Sequence, residues 1–204
     1  MHPAAPPPSD KAKHWSTPWF TLGACALAVG AWFWPRSFDA LDYERAQILH
    51  GEWWRLITGH WVHFSGSHLF WNLIVMLPAG VWLERLNPAA LRWTIAVSPL
   101  AISLALLAFD PSMAIYAGIS GVASGVLVAL AVNGLRTEPR ARWLWLAVLA
   151  LFVAKVAIES FRSHPLNPEL TAQHIHSVPL AHLVGATVGA ATALLSRNKQ
   201  PRNR

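Results

Sequence analysis

Six long apolar runs dominate this chain, covering approximately residues 17–35, 67–86, 91–109, 120–135, 142–160 and 179–196. A helix needs about 20 mostly apolar residues to cross a hydrocarbon core of roughly 30 Å, and a soluble domain of this length has no use for so many of them. Composition agrees, with 54% hydrophobic and only 13% charged residues and a mean hydropathy of +0.35. The expectation is therefore an all-α membrane protein with six transmembrane helices. Pro78, Gly80, Pro99 and Gly125 interrupt several runs. A bundle tolerates them because neighbouring groups satisfy the freed backbone. The fourth run is short, about 16 residues, so it is expected deep in the bundle with one end in a recess.

Residues 1–16, proline-rich in "MHPAAPPPSDKAKH", read as a disordered cytoplasmic leader, 17–196 as the helical domain and 197–204 as a basic cytoplasmic tail. The first run is long and opens on Trp19 and Phe20 rather than on a compact apolar core before a small-residue cleavage site, so no cleaved signal peptide is expected. With both termini inside, Lys11, Lys13, Arg85, Arg92, Arg136, Arg140, Arg142 and the tail all fall on the cytoplasmic side. Only Arg36, Arg45, Arg55 and Arg162 then lie outside, as the positive-inside rule requires. The net charge of +6 is thus a topology signal, and no nucleic-acid partner is expected. The 12 Trp mostly sit near run ends or in the first outer loop, as interfacial anchors do. Cys25, the single cysteine, excludes an intramolecular disulfide and a cysteine-based metal site.

In that topology the second, fourth and sixth runs all start at the outer face, and their first turns hold the polar exceptions. "SHLFWN" carries His68 and Asn72, "GISG" carries Ser120 and "PLAH" carries His182. His68 and Asn72 are four apart, on one face of a helix. Such groups point into a bundle or a wet cavity rather than towards lipid. A serine needs a base to become a nucleophile at neutral pH, and a neutral imidazole is the usual one. His68, the Asn72 amide and backbone N–H groups could then hold an oxyanion. Asp110 and Glu159 are the carboxylates to weigh as a third member, but neither lies in these first turns, so a Ser120–His182 dyad is the more economical arrangement. Taken singly, each residue has a plainer role. Ser120, Gly121, Ser124 and Gly125, like Gly185 and Gly189, fit small-residue helix packing, His182 fits a satisfied interior histidine and Asn72 interhelical hydrogen bonding. Their shared depth favours a site.

Other features carry less chemistry. The first outer loop, about 36–66, presents Trp53, Trp54, Ile57, Trp61 and Phe64 to the membrane interface, with Arg55 structural. His60 and His63 lack a third ligand near them in sequence and read as packing or hydrogen-bonding groups. Lys155 and Glu159, four apart, form either a local ion pair or a device that recognises a charged substrate end. The last outer loop, with His164, His174 and His176, is expected to cap the gap between the fifth and sixth helices, and no metal is expected there.

Together, "GISG" opening a short fourth helix, "HLFWN" opening the second, "AHLVGATVG" in the sixth and "GEWWRLITGHWVHFSGSH" before the second resemble the rhomboid intramembrane serine proteases over about residues 35–195. The resemblance implies a six-helix rhomboid fold with Ser120 as nucleophile and His182 as general base and acid. It places His68, Asn72 and Gly118 at the oxyanion and substrate-binding position and Glu84 and Arg85 where such charges often close the second helix. It implies no metal and no cofactor, single-pass transmembrane proteins as substrates, the lipid bilayer as partner, and a bacterial inner membrane as location. "WFWPRSFDALDYERAQILHGEWWRLITGHWVHF" and "AKVAIES" look most like the rhombosortase branch, although Ser124 stands where many of that branch carry histidine. That branch implies cleavage near a carboxy-terminal Gly-Gly-type anchor, and glycines lower the cost of unwinding a helix by roughly 1 kcal/mol each relative to alanine. The alternative is a proteolytically silent relative that binds or escorts membrane partners.

Overall fold

The structure, a computed structural model, describes residues 17–162 and 177–196. The leader, the basic tail and the histidine-bearing last outer loop lie outside the described residues. Nine α-helices occur among the described residues: α1 (Trp19–Phe33), α2 (Ser37–Leu41), α3 (Arg45–Leu49), α4 (Arg55–Thr58), α5 (Gly66–Leu86), α6 (Pro88–Phe109), α7 (Ser120–Thr137), α8 (Arg142–Arg162) and α9 (Pro179–Leu195). Two short strands, β1 (Tyr43–Glu44) and β2 (Ile115–Tyr116), pair antiparallel with Tyr43 opposite Tyr116.

Each apolar run coincides with a helix, but four of them are long and apolar enough to cross a membrane: α5, α6, α7 and the stretch Pro139–Phe161 that contains α8. The first and last, α1 and α9, are shorter, at 15 and 17 residues. Pro18 and Pro179 fix where they begin, because proline suits a helix start and not its interior. At a 1.5 Å rise per residue α1 extends about 22 Å, less than the hydrocarbon core.

The 18-residue α7 is the centre of the bundle, as its small residues dictate. Of its most apolar stretch 67% is buried, against 22% for the stretch through α8. It packs on α5, α6, α8 and above all α9. The α7–α9 seam is backbone against backbone. A Cβ built on Gly185 would run into the Gly121 carbonyl, one on Gly189 into that of Gly125, and one on Gly125 would lie 2.6 Å from the Gly185 oxygen. Only hydrogen fits at these positions, so the small-residue pattern reports contact at closest approach.

Caps set the starts of the other helices. Ser65 accepts from the His68 N–H at 3.1 Å and starts α5, which fixes His68 in its first turn. Asn87 accepts from Ala90 N–H at 3.1 Å, with Pro88 at the first position of α6. No side chain within α1 caps it. The Glu84 carboxylate on α5 does so from the side, accepting from Phe20 N–H at 3.0 Å, Thr21 N–H at 2.8 Å and the Thr21 hydroxyl at 2.7 Å. An anion there complements the positive end of the helix dipole.

The first outer loop is ordered by one buried cation. Arg55 is 5% exposed and donates to the Asp42 carboxylate, to the Asp42 carbonyl at 3.0 Å, to Glu52 at 2.6 Å and to the Asp39 carbonyl at 2.8 Å. Burial pushes the Asp42 carboxyl up to about 6, with Arg55 opposing. Trp53, Trp54, Ile57 and Phe64 are exposed as an interface-seeking side, whereas Trp61 instead packs against the core.

Candidate active site

The starts of α5, α7 and α9 and the end of α8 meet at one end of the bundle, and there the polar residues converge. Ser120 is the first residue of α7. Its Oγ lies 3.3 Å from His182 Nε2 in the first turns of α9. The glycine seam holds this pair, because α7 and α9 approach closely enough for a serine and an imidazole to meet.

Gly118 joins the second pair of residues to the first. Its φ of +112° is a left-handed conformation that a side chain would strain. A Cβ there would lie 2.6 Å from His68 Cε1, 2.9 Å from His68 Nε2 and 3.4 Å from Asn72 Nδ2. The backbone just before Ser120 therefore rests against His68 and Asn72. Both are buried, and His68 Nδ1 and Asn72 Nδ2 have no hydrogen-bond partner among the described residues. A buried polar atom without a partner is costly unless a ligand or water meets it. The ring of His68 is held by stacking on Phe64 at 5.9 Å and an edge contact with His63 at 5.1 Å.

The turn before Ser120 is pinned to the first outer loop. Beyond the β1–β2 pairing, Gly118 N–H donates to the Gly59 carbonyl at 3.1 Å, and Ile119 N–H to His63 Nε2 at 3.4 Å. His63 must then be neutral with its proton on Nδ1, and burial holds it down at about 3. His60 Nε2 lies 3.1 Å from the Ser103 hydroxyl, which itself donates to the Leu56 carbonyl at 2.7 Å. His60 is thus the donor, kept neutral by burial at about 4. Both histidines are spent on hydrogen bonds. Ser124 donates to the Ser120 carbonyl at 2.9 Å, a local helical bond that occupies its hydroxyl.

One group at the site was not expected from sequence. Tyr116 donates to the Gly118 carbonyl at 3.2 Å, and burial pushes its phenol up to about 12, so it stays a donor. Its position two residues before the GISG turn was the available signal. The charged pair of α8, read from the sequence as a local ion pair or a device for a charged substrate end, also lies here. Lys155 Nζ is 2.7 Å from Glu159 Oε2, and the same carboxylate oxygen is 3.4 Å from His182 Nδ1. Asp110 stays away from this cluster and accepts from Ser112 at 2.7 Å.

A serine against an imidazole nitrogen, beside buried polar atoms without a partner among the described residues, has the groups that acyl transfer needs. A Rhomboid domain matches residues 50–199. The chain belongs to the rhomboid family. Rhomboids are serine proteases that act within membranes, and the apolar helices make this chain a multi-pass membrane protein of that family. No curated protein matches the chain.

Proposed function

We propose that this rhomboid is an intramembrane serine endopeptidase with Ser120 as nucleophile and His182 as general base and acid. The observation that carries the reading is the 3.3 Å contact between Ser120 Oγ and His182 Nε2 beside the unpartnered His68 and Asn72. The Ser120 proton passes to Nε2 as Oγ bonds to the scissile carbonyl carbon. Oxygen charge develops next to Asn72 Nδ2, His68 and the α7 N-terminus, whose donors need no reorganisation. The imidazolium then gives its proton to the leaving amine as the C–N bond breaks. Water attacks the acyl-enzyme through the same base, and Ser120 is regenerated.

All six apolar helices serve as spans in this reading, with α1 and α9 reaching the interface through their flanking residues. The distribution of Arg and Lys supports cytoplasmic termini in a bacterial inner membrane. Substrates are single-pass membrane proteins cut near the outer face. The resemblance of the first outer loop and of "AKVAIES" to rhombosortases supports Gly-Gly-type carboxy-terminal anchors, whose helices unwind at low cost.

The test is fluorophosphonate labelling of the detergent-solubilised chain, with Ser120→Ala and Ser124→Ala beside it. Labelling lost in Ser120→Ala and kept in Ser124→Ala is expected. A folded wild type that stays unlabelled would overturn the reading in favour of a silent relative that binds membrane partners.

A further inference from the structure

Resting on that reading, we propose that Glu159 is a positioning residue for His182: its carboxylate accepts the Nδ1 proton and so leaves Nε2 bare towards Ser120. An imidazole with one proton has two tautomers, and only the one protonated at Nδ1 can take the Ser120 proton. Glu159 Oε2 stands 3.4 Å from Nδ1. It reaches there from α8, although most of that helix faces outward.

Lys155 explains why a carboxylate rather than another acceptor is held at this point. Its ammonium lies 2.7 Å from Glu159 Oε2 and 3.4 Å from His182 Nδ1. Glu159 is 3% exposed, and a buried carboxylate without a cation is costly. The pair therefore keeps the acceptor anionic in an apolar setting. Were Lys155 instead to donate to Nδ1, the imidazole proton would move to Nε2 and the base would be blocked. The two contacts with Nδ1 are equally long, and the proton is assigned to Nδ1 because Lys155 already donates to Glu159 at 2.7 Å. The same carboxylate offsets the imidazolium that forms when Ser120 is deprotonated, without itself taking the proton. Among the described residues, the charged and titratable groups facing His182 are Lys155 and Glu159 of α8 and, across the site, His68 of α5.

The spacing of Lys155 and Glu159 is that of an ordinary helical ion pair, so a purely structural role is the rival. The two separate in a double variant. In Glu159→Gln the amide leaves Lys155 unpaired, and both roles lead to loss. In Lys155→Met/Glu159→Leu no charge is unpaired and no acceptor is left at Nδ1, so a structural pair predicts recovery whereas a positioning residue predicts none.

The experiment uses the full chain in proteoliposomes, with a single-pass substrate carrying a Gly-Gly anchor and the rate of fluorophosphonate labelling as a second readout. The expected result is a fall in kcat of about 100-fold in both variants, with KM within about twofold of wild type and labelling slowed in parallel. Glu159→Asp is expected to recover part of the rate. Wild-type kcat and labelling rate in the double variant overturn the proposal. Ser120→Ala, run alongside, keeps the two readings apart. If it still cleaves, the nucleophile assignment falls first. If it is inert while the double variant is fully active, only the role of Glu159 falls.

Discussion

The α7–α9 seam and the first outer loop hold the same three residues, Gly118 to Ser120, by opposite means. The seam uses no side chains at its closest points: glycine lies on backbone, and Ser120 and His182 are carried along. The loop uses polar atoms throughout. Arg55 gathers Asp39, Asp42 and Glu52, and from that frame Gly59 and His63 reach the backbone of Gly118 and Ile119. In an apolar solvent there is little hydrophobic force between helices, so contact area at close range does the work in the seam. At the interface, water competes for every hydrogen bond, and a buried cation that donates to several acceptors orders a loop that helix packing cannot reach. The seam sets distance and the loop sets orientation.

That contrast can be broken from either side. The largest effect is expected from Arg55→Ala, which leaves the Asp42 carboxylate buried and unpaired at a cost of about 3–5 kcal/mol. Thermal unfolding in detergent measures it, and Arg55→Lys is expected to recover less than half because an ammonium lacks the planar fork. Gly185→Leu comes next. Forcing a side chain into the Gly121 carbonyl separates α7 from α9, costs about 3 kcal/mol and removes detectable cleavage. If activity survived in a folded Gly185→Leu protein, the seam would not be what sets the Ser120–His182 distance.

Gly118→Ala sits where the two regions meet. Its positive φ and the approach of His68 predict about 2 kcal/mol of destabilisation and a lower kcat, read in the same unfolding and cleavage assays.

Acid sharpens the contrast, because the loop is expected to weaken on protonation. His60 and His63 are neutral in the fold at about 4 and about 3, below the ordinary value of 6.5. Each contributes stability that is complete above about pH 6.5 and lost as pH falls towards those values. Asp42, raised to about 6, acts in the opposite sense and regains stability as pH falls below 6 towards 3.8. Two groups lose and one gains between pH 6 and 4, for a net loss of about 1.4 kcal/mol per pH unit. His60→Asn should flatten that slope in a series of unfolding curves, and an unchanged slope would assign the acid sensitivity elsewhere. The smallest effect is expected from Trp53→Ser on the exposed side of the loop, within about 0.5 kcal/mol in the same unfolding assay.

Much of the site was legible because its markers are local. His68 and Asn72 share a helical face by spacing alone, and "GISG" and "AHLVGATVG" announce a tight turn and a close-packing stripe without reference to anything distant. Glu159 was weighed as a third member and set aside because it lies in no first turn of the second, fourth or sixth helix. The physical reason it still arrives is direction: α8 runs opposite to those helices, so its last turn, not its first, shares their depth. Tyr116 was missed, and His63 was read as a packing or hydrogen-bonding group without its partner, for a related reason. Their partners are backbone atoms of Gly118 and Ile119, which no side-chain pattern displays.

The sequence by itself determined that the chain is a helical membrane protein, where its helices run and which residues are too polar to face lipid. Those properties depend on hydropathy and on spacing within a single helix. Only the tertiary structure decided that His182 faces Ser120, that Glu159 backs His182, and that the loop's histidines stay neutral. Each of those depends on the rotation of one packed helix against another, and that rotation is set by backbone contacts between residues far apart in the chain.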